Sequence, residues 1–277
     1  MISRIEALGY RCLQYVKQDL LSFHVLVGPN ASGKSTFLDV LSFMSDLVFH
    51  DPHYAISKRA PDVRDLVWMR GGNRFELAVH VSLRKERKER FGQLPYNGAR
   101  YELSVGLSPK TDEFEILAEA FWLTPEALEP ADQHVQRGLF PQPPSPPKTI
   151  VHPAGSRAPR GWRKVVNKVA ESGNDYFSSE TSSWHNLFRL GPHKSALANL
   201  PEDETKFPTA TWFKELLMIG VQTLALNSER MRQPSSPGAP KFFLPDGSNL
   251  PWVIDALSKK HKQRFSEWLD HVRTALP

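Results

Sequence analysis

The pattern of apolar residues in the first fifty positions predicts strands followed by a helix. Apolar runs precede and follow Gly9-Tyr10-Arg11, so residues 1–19 are expected to form two short strands around a turn. Val25-Leu26-Val27 is expected to be a buried strand that leads directly into a glycine. Over residues 36–48 apolar positions recur every three or four residues, which predicts a helix buried on most of its faces.

A period-two pattern predicts an antiparallel meander in the next part of the chain. Residues 74–83 alternate apolar positions such as Phe75 and Leu77 with polar ones such as Glu76, as half-buried strands do. The alternation returns in residues 101–107 and again in residues 114–123. We therefore expect three neighbouring strands with one face in water, forming a layer apart from the sheet that contains Val25-Leu26-Val27.

Prolines divide the second half of the chain. Residues 125–159 are rich in proline and predict a loop or linker. Helices are predicted over residues 160–170, 178–190 and 209–226. A strand at the end of residues 209–226 is the alternative for the last segment. The turn residues of Asp246-Gly247-Ser248-Asn249-Leu250-Pro251 precede a long helix predicted over residues 252–276. The expected segments are residues 1–124, a linker at 125–160, and a mainly helical part at 161–277.

A glycine-rich segment joins the predicted strand at residues 25–27 to the first predicted helix. It reads Gly28-Pro29-Asn30-Ala31-Ser32-Gly33-Lys34-Ser35-Thr36 and has the pattern G-x-x-x-x-G-K-S. The pattern predicts a phosphate-binding loop, in which backbone N–H groups and the positive end of a helix surround an anion. A strand–turn–helix that matches the pattern by chance is the alternative, and both flanks disfavour it.

The predicted loop assigns roles to its residues. All nine positions from Gly28 to Thr36 are candidates for binding the nucleotide. Lys34 is expected to reach the β- and γ-phosphates of ATP, and is the candidate catalytic residue. Ser35 is expected to hold Mg²⁺ through its hydroxyl, so the predicted cofactors are ATP and Mg²⁺.

Composition and charge limit the class of protein. The 277 residues are 40% hydrophobic and carry a net charge of +5, which permits contact with DNA or RNA without requiring it. The basic runs at residues 84–90 and 157–168 are interpreted as surfaces in water, with a nucleic-acid contact as the alternative. No apolar run is long enough to span a membrane and no signal-peptide pattern is present, so a cytoplasmic location is expected.

Other candidate chemistry is sparse. The single cysteine, Cys12, is expected to be an inert thiol buried in a strand. The ten histidines show no metal-binding spacing, and the sequence has no G-x-S-x-G pattern of a hydrolase.

The order of these parts resembles the RecF/SMC/OLD-like branch of ABC-type ATPases. More narrowly, it is similar to bacterial AAA-family ATPases often found in phage-defence operons. The resemblance rests on the strand pair around Gly9-Tyr10-Arg11, the loop at residues 28–36, the meander, and residues 246–251 before a long helix. It covers essentially the whole chain.

That resemblance implies a fold and a site. It implies an α/β, P-loop ABC-type head lobe with an antiparallel β meander and a helical insertion. It also implies that ATP lies between two heads of a dimer, and it makes Arg11 a candidate for packing near the adenine or the phosphates.

The sequence departs from the family in one respect. Members need an apolar strand ending in Asp-Glu, a signature segment and a switch histidine to hydrolyse ATP. Ala225-Leu226-Asn227-Ser228-Glu229 comes nearest to that strand but lacks the aspartate, and Val253-Ile254-Asp255 is too short. The chain therefore resembles an N-terminal half. A truncated sequence, a second polypeptide that completes the site, and a nucleotide-binding regulator all remain open.

Three functional hypotheses follow from the sequence. The leading one is an ATP-binding head segment that drives conformational change in a bacterial anti-phage defence or DNA-maintenance complex. A scaffold or sensor that binds the nucleotide without hydrolysing it is the alternative, and a small-molecule phosphotransferase is the third. Expected partners are a second copy of the chain or a second polypeptide, an effector protein, and DNA or RNA.

Overall fold

The computed structural model describes residues 1–83, 95–108, 111, 113–125, 145–152, 158–170, 175–240 and 242–275. Two compact units divide the chain, Met1–Val221 and Gln222–Pro277. The basic run at residues 84–90, Arg157 and most of the predicted linker at residues 125–160 lie outside the described residues.

In the first unit, the described strands form one antiparallel sheet with the order β2-β1-β3-β4-β5-β6-β7-β8. The strands are β1 Ile2–Tyr10, β2 Leu13–Asp19, β3 Arg74–Ser82, β4 Gly98–Leu107, β5 Phe114–Thr124, β6 Arg163–Val169, β7 Asp175–Ser178 and β8 His185–Phe188. The predicted strand pair and meander are confirmed. The expectation of two layers is wrong. Strand β1 pairs with β2 on one side and with β3, the first strand of the meander, on the other, so the strand pair and the meander lie in one sheet.

Helices of the first unit lie at two places along the chain. The first group comprises α1 Lys34–Phe49, α2 Pro52–Ser57 and two 3₁₀ turns, Val63–Leu66 and Trp68–Arg70. The second is α3 Pro208–Glu215, which continues as a π-helical segment, Leu216–Gly220. The helix predicted over residues 36–48 is confirmed as α1, and the α/β class with an antiparallel meander is confirmed as well.

The second unit is built from short helices and turns. Its helices are α4 Ser228–Met231, α5 Leu250–Lys260 and α6 Lys262–Ala275. Pro251 lies in the first turn of α5, as predicted. The long helix predicted over residues 252–276 is instead two helices, because the backbone at His261 departs from helical geometry. No helix in the described parts of either unit combines the length and hydropathy needed to cross a membrane.

The core of the first unit lies between α1 and one face of the sheet. Phe43 of α1 is fully buried, and its ring centroid lies 5.7 Å from that of Tyr10 and 5.4 Å from that of Phe75. Tyr10 and Phe75 belong to β1 and β3, the second and third strands in the sheet order, so this aromatic group joins α1 to that end of the sheet. The helix was expected to be buried on most of its faces, but Leu38 is 57% exposed, so α1 packs through one side only.

The opposite face of the sheet is polar but buried. Glu76 and Glu102 are 2% and 1% exposed. Residues 149–152 pack against both, since the Ile150 N–H donates to Glu76 Oε2 at 2.7 Å and the His152 N–H donates to Glu102 Oε2 at 2.9 Å. The Arg100 guanidinium donates to the Ile150 carbonyl at 2.9 Å. The sequence predicted that this side of the meander faces water. That prediction is wrong here, because the buried side chains of Glu76, Arg100 and Glu102 form hydrogen bonds with the backbone of residues 149–152, which cross this face.

Three predicted helices differ from the structure. Residues 160–170 contain β6, where Val166 pairs with Phe121 of β5, and residues 178–190 contain β8, which pairs with β7. The helix predicted over residues 209–226 ends at Gly220, and no strand follows it among the described residues. Over so short a run, Val165 and Val166 fit the period of a helix as well as that of a strand. Pairing with the neighbouring strand β5 favours the strand.

Truncating Phe43 tests the aromatic group in the core. Phe43→Ala is expected to lower the free energy of unfolding by about 3–5 kcal/mol, because it removes a fully buried ring and leaves a cavity. Leu38→Ala on the same helix is the control, since Leu38 is 57% exposed, and its effect should stay below about 1 kcal/mol. Urea unfolding followed by circular dichroism gives both values. Equal losses in the two variants would contradict this description of the core.

Candidate functional site

The predicted phosphate-binding loop connects the end of residues 23–27 to the start of α1. Gly33 is the N-cap residue of α1 and has φ 90°, a left-handed conformation that favours glycine. A Cβ at Gly33 would meet Leu13 Cδ2 at 3.1 Å and Cys12 Sγ at 3.5 Å. The loop therefore depends on glycine here for its backbone conformation and for its close approach to the turn between β1 and β2.

The N-terminus of α1 is electropositive. No side chain caps Gly33, and the first turn contains no acidic residue. The first N–H groups of a helix have no partner within it, and the helix dipole adds a partial positive charge at this end. A 16-residue helix of this kind offers an anion several convergent donors.

Lys34 places its ammonium group inside the loop. The Lys34 Nζ donates to the Gly28 carbonyl at 2.8 Å, to the Pro29 carbonyl at 2.6 Å and to Ser32 Oγ at 3.3 Å. These bonds hold the Lys34 side chain against the backbone of its own loop. A full positive charge is thus held at the centre of the segment that the sequence assigned to phosphate.

Two cavities flank the loop. One has a volume of about 410 Å³ and is lined by Arg11, Cys12 and residues 30–36. The other has a volume of about 360 Å³, and its lining includes Gly28, Pro29, Ser32, Gly33 and Lys34. The structure therefore brings together every residue that the sequence proposed for nucleotide binding: Arg11, Gly28, Pro29, Asn30, Ala31, Ser32, Gly33, Lys34, Ser35 and Thr36.

Asp39 fixes α1 to the rest of the unit just below the loop. Its carboxylate accepts a hydrogen bond from Tyr10 Oη at 2.7 Å, from Arg59 Nε at 2.8 Å and from Arg11 at 3.2 Å. Arg59 also donates to Asp46 at 2.8 Å, and Asp46 lies about two turns after Asp39 in α1. A single carboxylate thus ties the helix to β1, to the turn after it and to the segment beyond α2.

The electrostatics of this group follow from its partners. Burial alone would raise the pKa of Asp39, but hydrogen bonds from Arg59 and Tyr10 hold it below its usual value. Burial, together with the Asp39 charge, raises the pKa of Tyr10. The sequence patterns do not predict this group of Tyr10, Asp39 and Arg59. The available signal was an acidic residue on a helix whose other faces are apolar.

Arg11 and Cys12 occupy the turn between β1 and β2. Arg11 has φ 51°, an uncommon value for a residue with a side chain, and its side chain is 40% exposed. Cys12 is exposed in the same turn, and its Sγ donates to Thr36 Oγ1 at 3.2 Å. The prediction of a buried thiol within a strand is wrong, because the chain reverses direction at this residue.

The strand predicted at Val25-Leu26-Val27 is absent from the described structure. Val25 and Val27 are 63% and 89% exposed, and only Leu26 packs partly against the core. The prediction of a buried strand is therefore wrong for this segment. No strand of the described sheet pairs with its backbone, so the segment has no ladder of hydrogen bonds to hold it as a strand.

The donor set at the loop is suited to an anion. Backbone N–H groups at the start of α1, the Lys34 ammonium, and the Ser35 and Thr36 hydroxyls suit phosphate oxygens and Mg²⁺. No Asp or Glu is among the described residues that line either cavity. Across the described residues, no group of three or more His, Cys, Asp or Glu is placed to hold a metal.

Residues 225–229 and 253–255, which come nearest to a strand ending in Asp-Glu, lie in the second unit and belong to helices or their caps. Asn227 caps α4, and its Oδ1 accepts from the Glu229 and Arg230 N–H groups, both at 3.0 Å. Asp246 accepts from Arg230 at 2.9 Å, and that guanidinium, followed by Ser248, lowers the pKa of Asp246 to about 2. Residues 246–251 thus form a fixed turn before α5.

Comparison with known proteins gives one family. The family model described as "AAA domain, putative AbiEii toxin, Type IV TA system" matches residues 23–269. Among solved structures, the chain is similar to one described as "Structural biochemistry of ATP-driven dimerization and DNA stimulated activation of SMC ATPases". The identity is 19%, the TM-score is 0.29, and the match covers 44% of this chain and 68% of that one. No curated protein matches the chain.

Substituting Gly33 tests the left-handed backbone at the loop. Gly33→Ala is expected to lower the free energy of unfolding by about 1–2 kcal/mol, because alanine is strained at this φ and its Cβ crowds Leu13. Gly191→Ala is the matched control, since nothing lies within 4 Å of a Cβ there. Urea unfolding measures both. A Gly33→Ala variant as stable as the control would show that the loop does not hold this conformation.

Proposed function

The chain belongs to this AAA-domain family of ATPases, and from that membership we propose that residues 28–36 bind ATP together with Mg²⁺. The observation that carries the proposal is the placement of the Lys34 ammonium within a loop that opens onto the uncapped N-terminus of α1. Charge, backbone donors and hydroxyl groups converge there, and no described acidic side chain opposes an anion.

The proposal assigns roles to the loop residues at the start of α1 and to Arg11. Lys34 exchanges its bonds with the Gly28 and Pro29 carbonyls for bonds with the β- and γ-phosphates. The N–H groups from Gly33 onward hold the phosphates, and the Ser35 hydroxyl is the protein ligand of Mg²⁺. Bound Mg²⁺ neutralises part of the phosphate charge. Arg11 lines the neighbouring cavity and contacts the nucleotide from the side of the β1–β2 turn.

Hydrolysis requires groups from outside the described residues in this proposal. A water molecule must be oriented, and a carboxylate usually does this in such ATPases. The described lining of the loop has none, and the segment nearest to an acidic strand begins α4 instead, where Asn227 accepts a hydrogen bond from the Glu229 N–H. We therefore propose turnover only when another polypeptide segment completes the site. A scaffold or sensor that never hydrolyses ATP is the alternative, and turnover in a completed assembly distinguishes the two.

The biological role is also a proposal. The family description refers to a toxin of a type IV toxin–antitoxin system, which supports a place in bacterial anti-phage defence or DNA maintenance. In that setting the chain works in the cytoplasm as a homo-oligomer or with a second polypeptide, coupling ATP to an effector protein, DNA or RNA. Residues 1–124, 125–160 and 161–277 are the proposed functional segments of the head.

Replacing Lys34 tests nucleotide binding directly. Lys34→Ala is expected to weaken binding of a fluorescent ATP analogue by about a hundredfold or more, because charge-assisted hydrogen bonds to the phosphates are lost. Lys17→Ala is the control: it removes an exposed lysine of β2 and should leave the affinity unchanged. Circular dichroism checks that both variants fold. Full affinity in Lys34→Ala would reject the proposed site.

Replacing Ser35 tests the metal. The affinity of the chain for the ATP analogue should rise when Mg²⁺ is added, and Ser35→Ala should remove most of that gain while leaving metal-free binding nearly intact. Ser57→Ala is the control, because the Ser57 hydroxyl is exposed and donates only to the Tyr54 carbonyl, at 3.3 Å. A titration with and without a chelator gives both affinities. An unchanged dependence on Mg²⁺ in Ser35→Ala would exclude Ser35 as the ligand.

A further inference from the structure

The junction between α5 and α6 concentrates positive charge on the surface of the second unit. All six residues of this junction are exposed: Lys259-Lys260-His261-Lys262-Gln263-Arg264. The stretch between Asp255 and Glu267 contains no acidic residue, so no carboxylate interrupts the run. We name residues 259–264 the basic corner. Charged runs often only face water, so the case for a partner depends on how the corner is built.

Most of the cations in the basic corner have no acidic partner. Lys259 pairs with Asp255, one turn earlier in α5, at 2.9 Å. Lys260, Lys262 and Arg264 form no ion pair with any residue that the structure describes. Three full positive charges therefore remain uncompensated within five consecutive positions.

The helix geometry makes this charge unfavourable for the chain itself. The backbone departs from helical geometry at His261, so α5 ends at Lys260 and α6 begins at Lys262. Lysines in the last turn of α5 suit its negative end, but Lys262 and Arg264 lie in the first turn of α6, where the helix dipole is positive. No acidic residue in that turn offsets them. A violation of a local rule of this kind is typical of a functional site.

An anionic partner offsets this charge, and its own charges must be closely spaced. At the helical rise of 1.5 Å per residue, the basic corner spans on the order of 9 Å. A DNA double helix carries about five negative charges over that length, and cations that neutralise them release condensed counterions. Lysine and arginine are hydrogen-bond donors, and phosphodiester oxygens are acceptors. The corner therefore matches a phosphate backbone in both charge density and hydrogen bonding.

The apolar neighbours of the basic corner are half-buried. Phe265 and Trp268 follow it in α6, and their rings stack on each other with centroids 5.9 Å apart. Single-stranded nucleic acids are commonly held by exposed aromatic rings on which bases stack, and helices that bind a membrane surface insert an exposed apolar face. Residues 259–269 offer neither an exposed Phe, Tyr or Trp nor an exposed apolar face. A double helix requires neither, because it presents phosphates on its outside.

We propose that the basic corner binds the phosphate backbone of a nucleic-acid double helix without reading its sequence. Lys260, Lys262 and Arg264 each neutralise a phosphate, and the N–H groups at the start of the 14-residue α6 add donors and a partial positive charge. Contacts of this kind carry no sequence information. The choice of a nucleic acid rests on the proposed function, which includes DNA or RNA among the partners.

Fluorescence anisotropy of the full chain with short labelled duplexes tests the proposal. The probes are a DNA duplex and an RNA duplex of the same mixed sequence, each titrated over a series of salt concentrations. The triple variant Lys260→Gln, Lys262→Gln, Arg264→Gln should bind the preferred duplex at least about tenfold more weakly, and the slope of log affinity against log salt should fall in magnitude by about three. Binding to either duplex supports the proposal, and the tighter one identifies the source of the phosphates.

A matched variant removes the same charge elsewhere. Lys17→Gln, Lys148→Gln, Arg160→Gln replaces three exposed cations of the first unit and should leave the affinity and the salt slope nearly unchanged. Circular dichroism checks that both triple variants fold. Equal losses in the two variants, no binding to either duplex, or equally tight binding of a single strand or of anionic phospholipid vesicles would each overturn the proposal.

Nucleotide binding is measured separately, so that the two proposals can fail independently. The duplex titrations contain no ATP. The basic-corner variant should bind the fluorescent ATP analogue with the affinity of the unchanged chain, because none of its three positions lines the cavities at the loop. Duplex binding by a chain that fails to bind ATP would support the basic corner and reject the proposed nucleotide site. ATP binding without duplex binding would support that site and overturn the basic corner.

Discussion

A phosphate-binding loop works only if the backbone is held on both sides of it, and in this chain one side is held far more firmly than the other. On the helical side, Asp39 receives hydrogen bonds from Tyr10, Arg59 and Arg11 and so ties α1 to the sheet and its first turn. On the other side, residues 23–27 have no backbone partners among the described residues, and only Leu26 packs partly against the core.

The firmly held side explains why the loop keeps its form. The aromatic group of Phe43, Tyr10 and Phe75 supplies the apolar packing, while Asp39 fixes the rotation of the helix about its axis. Gly33 then lets the loop approach the β1–β2 turn so closely that a single methyl group would crowd Leu13. Loop, turn and helix are therefore one rigid arrangement.

Local patterns in the sequence predicted the parts that local chemistry determines. The nine-residue loop, α1, the first strand pair and the meander all carry short-range signals, and each lies where the sequence placed it. Burial was predicted less well, because Glu76 and Glu102 look like water-facing residues until residues 149–152 are seen to bond to them. The sequence patterns of residues 160–170 and 178–190 predict helices, but both segments contain strands. The partner β5 of β6 is distant in the chain, so its pairing leaves no trace in a window of ten residues, whereas β8 pairs with the nearby β7 in a run too short for its period to separate strand from helix.

Hydrogen exchange measured by mass spectrometry, on peptides covering residues 23–36 with and without ATP and Mg²⁺, tests the central claim most directly. The backbone of residues 23–27 is unpaired, so its amides should exchange quickly in both conditions. The amides of residues 28–36 should become protected only when ATP and Mg²⁺ are present, because phosphate oxygens then accept their hydrogen bonds. Unchanged exchange at residues 28–36 on adding ATP, or slow exchange at residues 23–27 in the chain alone, would contradict the account.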